Sequence, residues 1–299
     1  MAGSIKNVAV VGASGNVGKD VVQELLNAGF SVTALTREGS TSTFPANVVS
    51  KKVDYQSVES LTSALDGQDA VVSTIATPAI GSQLALVDAA VAAKVKRFIP
   101  SEFGVNTRII AGTPIGDILQ GKIKTVDYLV SKSQENPSFT WTGVSTGLFF
   151  DRGLKYGSIG FDKKSKTATI YDSGNEPVQV SNLSFIGRAI VAILSQPDKS
   201  ANQYLSIASF NPTQNQILEI VEAETGEKWK VERASTAEEK KIGVEKLSKG
   251  DYSAFSNLLR GRLFTDGANL AAKGENSAND LLGLKEEDLT ATLREWLRG

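Results

Sequence analysis

Two residue types are missing from this 299-residue chain: it has no cysteine and no histidine. Without cysteine there can be no disulfide, no thiolate nucleophile and no cysteine-ligated metal. Without histidine the chain lacks the commonest general base near neutral pH and the commonest metal ligand. Proton transfer therefore falls to Lys, Tyr, Asp, Glu, Ser or water. Carboxylate sites for magnesium or calcium stay open, but no calcium-loop spacing and no Gly-Lys-Ser/Thr phosphate loop is present. An excess of charge of either sign is also missing. Lys and Arg number 32 against 33 Asp and Glu, a formal net charge of −1, and the basic residues are scattered. No long-range field would draw in nucleic acid or an anionic membrane. Nor does any apolar run approach the roughly 20 residues that span a bilayer. The opening MAGSIKNVAVVG has no hydrophobic stretch of signal-peptide length. The expectation is a cytoplasmic protein, monomer or homodimer, whose partners are small molecules and neither nucleic acid nor membrane.

The composition present, 41% apolar and 22% charged, is that of an ordinary globular protein. Residues 5–11 form a β-branched run ending on Gly12, as a buried parallel strand would. A helix follows with Val21, Val22, Leu25 and Leu26 on one face, Gly18 on that same face and Gly29 at its end. Strands over 31–36, 48–55, 70–75, 97–103 and 138–145 then alternate with helices over 58–65, 83–94 and 116–134. That alternation implies βαβ units with right-handed crossovers. Beyond Phe150 the texture changes. Residues 154–180 read as a β-hairpin, with TATIY and VQV as arms and Asp172-Ser173-Gly174-Asn175 as turn. A helix over 184–194 and a strand over 203–209 fit a return to the main sheet. From Pro212 onward the chain is mostly helical and charged, with one strand near 228–233. The expected fold class is α/β, a Rossmann-type doubly wound parallel sheet with a smaller, interleaved C-terminal substrate lobe. Residues 1–153, with 181–209 returning, form the nucleotide-binding part; 154–180 and 210–299 form the lobe.

The strongest motif is VVGASGNVG at 10–18, a strand followed by Gly12-x-x-Gly15-x-x-Gly18 and a helix. Gly12 permits the tight turn, Gly15 lets backbone approach a pyrophosphate, and Gly18 lets helix and strand pack closely. Ser14, Asn16 and Val17 complete the loop and the first helical turn, whose N–H groups suit phosphate oxygens. A ligand-free glycine turn is the bland reading; the flanking strand and helix favour a nucleotide. The spacing is the wider form found in short-chain and extended reductases. At the end of the second strand, where NAD sites usually carry an acid, stand Thr36 and Arg37, with Glu38 one step later. A guanidinium there suits a 2′-phosphate, which favours NADP(H) over a merely solvated arginine.

Lys122 is the candidate catalytic residue. At about 100° per residue it shares a helix face with Ile118, Val126 and Leu129, whereas Lys124 falls about 200° away. The residues alone leave catalysis and snorkelling to water equally open. A tyrosine four residues before the lysine, the usual short-chain dehydrogenase partner, is absent: that position is Ile118.

With VGASGNVG, Thr36-Arg37, RFIPSEFG at 97–104 and Lys122 in order, the chain resembles the isoflavone reductase-like, NmrA-like branch of the atypical short-chain dehydrogenases. Phenylcoumaran benzylic ether reductases belong to it. The likeness covers the first two-thirds well, and Pro100-Ser101-Glu102-Phe103-Gly104 is its most specific marker. The resemblance implies NADPH bound across the carboxyl ends of the strands, where Thr74, Ser101 and Phe103 stand. It implies Lys122 as general base or proton relay, and an aromatic residue near the nicotinamide at the position of Phe149. Hydride would pass to a small phenolic, quinone-methide-like or enone substrate. Plant ether reductases place a histidine in the substrate pocket, and this chain has none. Two other readings stand beside the reductase: a non-catalytic NADP-sensing regulator, and an epimerase or lyase with tightly held NAD. The first is weakened by a lysine on the cleft side, the second by Arg37 and the missing tyrosine.

Overall fold

The computed structural model describes residues 4–299, the Pro78 side chain aside. Met1–Gly3, the start of the stretch read above for a leader, lie outside the described residues. Six strands alternate with helices along the first half: β1 Asn7–Val11, β2 Ser31–Arg37, β3 Val48–Val53, β4 Ala70–Ser73, β5 Arg97–Ile99 and β6 Thr140–Ser145. The helices between them are α1 Asn16–Asn27, α2 Val58–Leu65, α3 Gln83–Ala92, α4 Pro114–Ile118 and α5 Gln120–Glu135. The second half adds β7 Leu148–Phe149, α6 Phe150–Lys155, β8 Phe161–Asp162, β9 Thr167–Tyr171, β10 Val180–Ser181, α7 Leu183–Ser195 and β11 Gln203–Ser206. It ends with α8 Gln214–Thr225, β12 Lys230–Ala234, α9 Thr236–Ser248, α10 Ala254–Leu263, α11 Asn279–Leu282 and α12 Leu289–Arg298.

Seven strands form one parallel sheet in the order β11-β6-β5-β4-β1-β2-β3. A strand covered on both faces must be apolar throughout. In β1, Val8 and Val10 enter one core with α1 and α7, while Ala9 and Val11 enter the other with α2, α3 and α5. The chain winds outward in both directions from β1, so a crevice opens at the carboxyl ends of β1 and β4. Gly29, at φ +82°, turns the chain out of α1 as expected for a C′ glycine. β11 pairs with β6 in parallel, so the chain does return to the main sheet. Between α1 and α7 the helices nearly touch: a Cβ on Gly187 would sit 2.9 Å from the Asp20 carbonyl.

The expected helix over 116–134 is two helices meeting at Leu119, the first capped by the Thr113 hydroxyl with Pro114 in its first turn. The expected strand over 97–103 stops at Ile99, because Pro100 has no N–H to give a ladder. The hairpin around 172–175 is a larger correction. The turn exists, with Asp172 at φ +48° and Gly174 at φ +75°, but its arms do not pair. β9 lies antiparallel to β8 and parallel to β12, so both its edges are taken. Residues 178–180 pair instead with the chain near Phe210 and, through β10, with β7. The turn residues are held by their neighbours: Asp172 accepts from the Thr236 N–H at 2.9 Å, and the Asn215 amide donates to the Ser173 carbonyl at 3.0 Å. A third apolar core, including Phe150, Phe161, Ile170, Val221, Leu258 and Leu293, gathers this small sheet and the late helices.

Candidate active site

The glycine-rich loop closes on itself as its spacing demands. Gly12 adopts φ +80°, and a Cβ there would lie 2.8 Å from the Thr74 carbonyl oxygen. A Cβ on Gly18 would lie 2.2 Å from the Gly12 carbonyl, so any side chain would push helix from strand. Gly15 donates its N–H to that same carbonyl at 2.8 Å and is itself exposed, although a Cβ there would meet the Gly12 carbonyl oxygen at 3.0 Å. No side chain caps α1, which starts at the next residue. Its first N–H groups and positive dipole end are thereby turned to the crevice. Ser14, Gly15 and Asn16 are exposed, whereas Val17 and Gly18 are buried beneath them. The Asn16 amide oxygen accepts from Arg152 of α6 at 2.7 Å, a contact no local sequence pattern signals.

Arg37 ends β2 exposed and without an ion pair among the described residues. Lys52 stands beside it on β3, opposite Thr36, and donates to the Ser40 carbonyl. Two cations thus flank the loop that follows β2; the sequence reading found only one, because the second depends on the β2–β3 register. Beneath them Tyr55 donates to the Leu35 carbonyl at 2.7 Å, and burial pushes its phenol up to about 12.

Thr74 and Ser101 are scaffold within the crevice. The Thr74 N–H and hydroxyl both donate to the Val11 carbonyl, each at 2.8 Å. The Ser101 hydroxyl donates to the Ile75 carbonyl at 2.7 Å, tying the loop after β5 to the loop after β4. Its N–H donates to the Gln83 amide oxygen at 2.9 Å, which leaves the buried Gln83 amide nitrogen without a partner among the described residues. Phe103 is only 6% exposed and its ring belongs to the core shared with Ile99, Val144 and Ile207. Phe149 stays half-buried at β7, with its side chain against the edge of that core.

Lys122 sits in the first turn of α5, buried at 8% exposure, with Lys124 on the open face. Its Nζ donates to the Glu102 carbonyl oxygen at 3.1 Å. Burial drives its pKa down, against a smaller upward pull from the Glu102 carboxylate. Glu102 is itself 1% exposed. Its Oε2 accepts from Tyr204 at 2.7 Å and from the Thr107 hydroxyl, while Oε1 has no partner among the described residues. Burial pushes the Glu102 carboxyl up, with Lys122 pulling the other way, and Tyr204 is held well above its ordinary value. Glu102 was visible within the marker Pro100–Gly104, but its coupling to Lys122 was not. Tyr204, on β11, carried no signal at all. Desolvation favours the neutral form of both groups, and the charge of each opposes that in the other.

A parallel doubly wound sheet with an uncapped glycine loop at its switch point defines a dinucleotide-binding class of fold. The chain matches the NmrA-like family over residues 4–253 and belongs to it. It is 35% identical over 279 residues to Oxidoreductase poxI of Penicillium oxalicum, covering 92% of this chain and 88% of that protein. Among solved structures, the binary complex of leucoanthocyanidin reductase and NADPH from Vitis vinifera superposes with a TM-score of 0.81 at 18% identity, covering 98% of this chain and all of that one. AtPrR2 with NADP+ and (+)pinoresinol does so with a TM-score of 0.80 at 20% identity, covering 98% and 99%. At that identity the structural likeness is one of fold.

Proposed function

We propose that this protein is an NADPH-dependent reductase of a small aromatic or conjugated substrate, with Lys122 as its general base or proton relay. The observation that carries the reading is the buried Lys122 amine, held by the Glu102 carbonyl beside the crevice that the glycine loop opens. A chain that only senses a dinucleotide gains nothing from a desolvated ammonium, which is costly to bury. The residues present fit NADP(H). The uncapped α1 N-terminus and exposed Gly15 suit the pyrophosphate, and Arg37 with Lys52 suits a 2′-phosphate. Ser14 and Asn16 line the phosphate end, and Val17, its side chain buried in the core, lends only its backbone there. The segments at Thr74, Ser101 and Phe103 support the middle, and Phe149 stands toward the reacting end. When bound, the nicotinamide supplies a hydride. Lys122 holds or moves the proton that the substrate oxygen loses or gains, and Glu102, Thr107 and Tyr204 keep its amine placed. The poxI relative is named an oxidoreductase and AtPrR2 is seen with NADP+ and (+)pinoresinol; both support this class of reaction. Residues 1–153 and 181–209 are assigned to the nucleotide, 154–180 and 210–299 to the substrate.

The test follows NADPH oxidation across phenolic enones and quinone-methide precursors, with cofactor affinity measured separately. Lys122→Ala should lower turnover by about 10²–10⁴ and leave NADPH affinity within a few-fold. Lys124→Ala is the matched control and should be nearly silent. Full turnover by Lys122→Ala would refute the proton role, and tight NADPH binding with no turnover on any substrate would favour the sensor.

A further inference from the structure

At the opposite end of the sheet from β3 a guanidinium faces a cavity with nothing to bind. The loop at 105–109 and the lobe segment 262–276 enclose a space of about 230 Å³ beside Ser206 of β11 and Gly147 after β6. Arg262, in the last turn of α10, reaches into it half-buried. It makes no hydrogen bond or ion pair among the described residues, whereas its neighbour Arg260 pairs with Glu239 at 2.9 Å. Burial lowers the Arg262 pKa and no carboxylate offsets that loss. A guanidinium partly withdrawn from water, facing a cavity and without a side-chain partner among the described residues, is placed to receive an anion.

The walls narrow the chemistry. Val105 and Leu263 are buried, Leu270 is half-buried, and Ile109 stands 56% exposed at the rim. The Gln179 amide nitrogen is spent on the Ser145 and Ile207 carbonyls. Arg262 is the one charged group among the described residues that line the space. We propose that this cavity binds a small organic monoanion, an aromatic or short-chain carboxylic acid, with its carboxylate on Arg262 and its apolar body against these walls. A planar guanidinium matches a carboxylate through two parallel hydrogen bonds. A phosphate dianion would call for a second cation, whereas the other polar side chains of the lining, Asn106, Ser206 and Asn276 among them, are neutral. The volume falls below the roughly 300–1,000 Å³ of sites for drug-sized ligands, which selects a single ring or a short chain. The cavity lies over β6 and β11, and the uncapped α1 N-terminus over β1 and β4, so the cavity is distinct from the phosphate end of the crevice.

The experiment titrates the full chain, without dinucleotide, with benzoate and with its neutral counterpart benzamide, by calorimetry or ligand-observed NMR. Benzoate is expected to bind saturably and at least about tenfold more tightly than benzamide. Arg262→Gln should lose at least about tenfold in benzoate affinity, and Arg262→Lys should retain part of it. Thermal melting checks that both variants fold; if Arg262→Gln does not, the lysine variant and the benzamide comparison decide. Benzoate affinity that is absent, matched by benzamide, or unchanged by both substitutions overturns the proposal. Lys122→Ala should leave benzoate affinity unchanged, so a failure of the catalytic reading and a failure of this site are told apart.

Discussion

At the scale of single residues, the informative pair is Lys122 and Glu102. The Lys122 amine is desolvated, which lowers its pKa, and the carboxylate of Glu102 resists that fall. Removing the negative charge removes the resistance. In Glu102→Gln the amine should therefore be neutral at lower pH than in the unmodified protein, and the limb of the kcat/KM profile that reports it should move toward acid. Cofactor affinity should hold, because Glu102 makes no contact with the glycine loop among the described residues. An unmoved limb, with turnover merely reduced, would mean that Glu102 acts through packing alone. Part of this was legible beforehand. Lys122 was separable from Lys124 because helical periodicity alone distinguishes an inward face from an outward one. The groups that hold its surroundings, Thr107 and Tyr204, come from a loop and from a strand roughly 80 residues downstream. No spacing rule links residues that meet only after the sheet is assembled.

At the scale of elements, β2 and β3 together set the charge at one end of the crevice. Arg37 is exposed and has no ion pair among the described residues, while Lys52 already donates to Ser40. Arg37→Ala should cut NADPH affinity by about tenfold, about 1.4 kcal/mol, and leave NADH affinity nearly unchanged. Titration of both nucleotides against both proteins decides it; an equal loss for the two would mean that Arg37 shapes the loop instead of reading a phosphate. The elements themselves were the most legible level. Buried parallel strands such as β1 and β4 are short continuous apolar runs, and α1 carries a clean apolar face between a glycine loop and a closing glycine. The failed hairpin shows the limit. Turn chemistry at Asp172–Asn175 fixed a reversal of the chain but not its partners. Those were settled by β12, whose five residues lie alongside β9 although nearly 60 positions separate them.

At the scale of the whole molecule, the three cores are stitched together by a chain that crosses between them more than once. The core on the α1 side draws on Leu183, Phe185, Ile186, Ile190 and Ile193 of α7 and on Leu205 of β11. A fragment ending at residue 153 would leave Val21, Val22 and Leu25 of α1 uncovered and β6 as a bare edge. It should consequently fail to fold, showing an undispersed amide NMR spectrum and no cooperative urea transition. A fragment through residue 209 should recover helix and strand content, though less stably than the full chain. A sharp cooperative transition from the shorter fragment would overturn this account of the core.

The close seat of Gly187 against Asp20 and Glu24 has a consequence in time as well as in space. Asn27 ends α1 and Leu183 begins α7, a gap of 183 − 27 = 156 positions. At about 5–20 residues per second, the ribosome delivers the second helix roughly 8–30 s after the first. For that interval the inward stripe of α1 is left as an open apolar surface, long after its glycine loop and β1 have left the exit tunnel. The nascent chain is thus a client for holding chaperones well before it is a binder of nucleotides, and slowing the ribosome between these helices should lower the yield of native protein even when the finished sequence is unchanged.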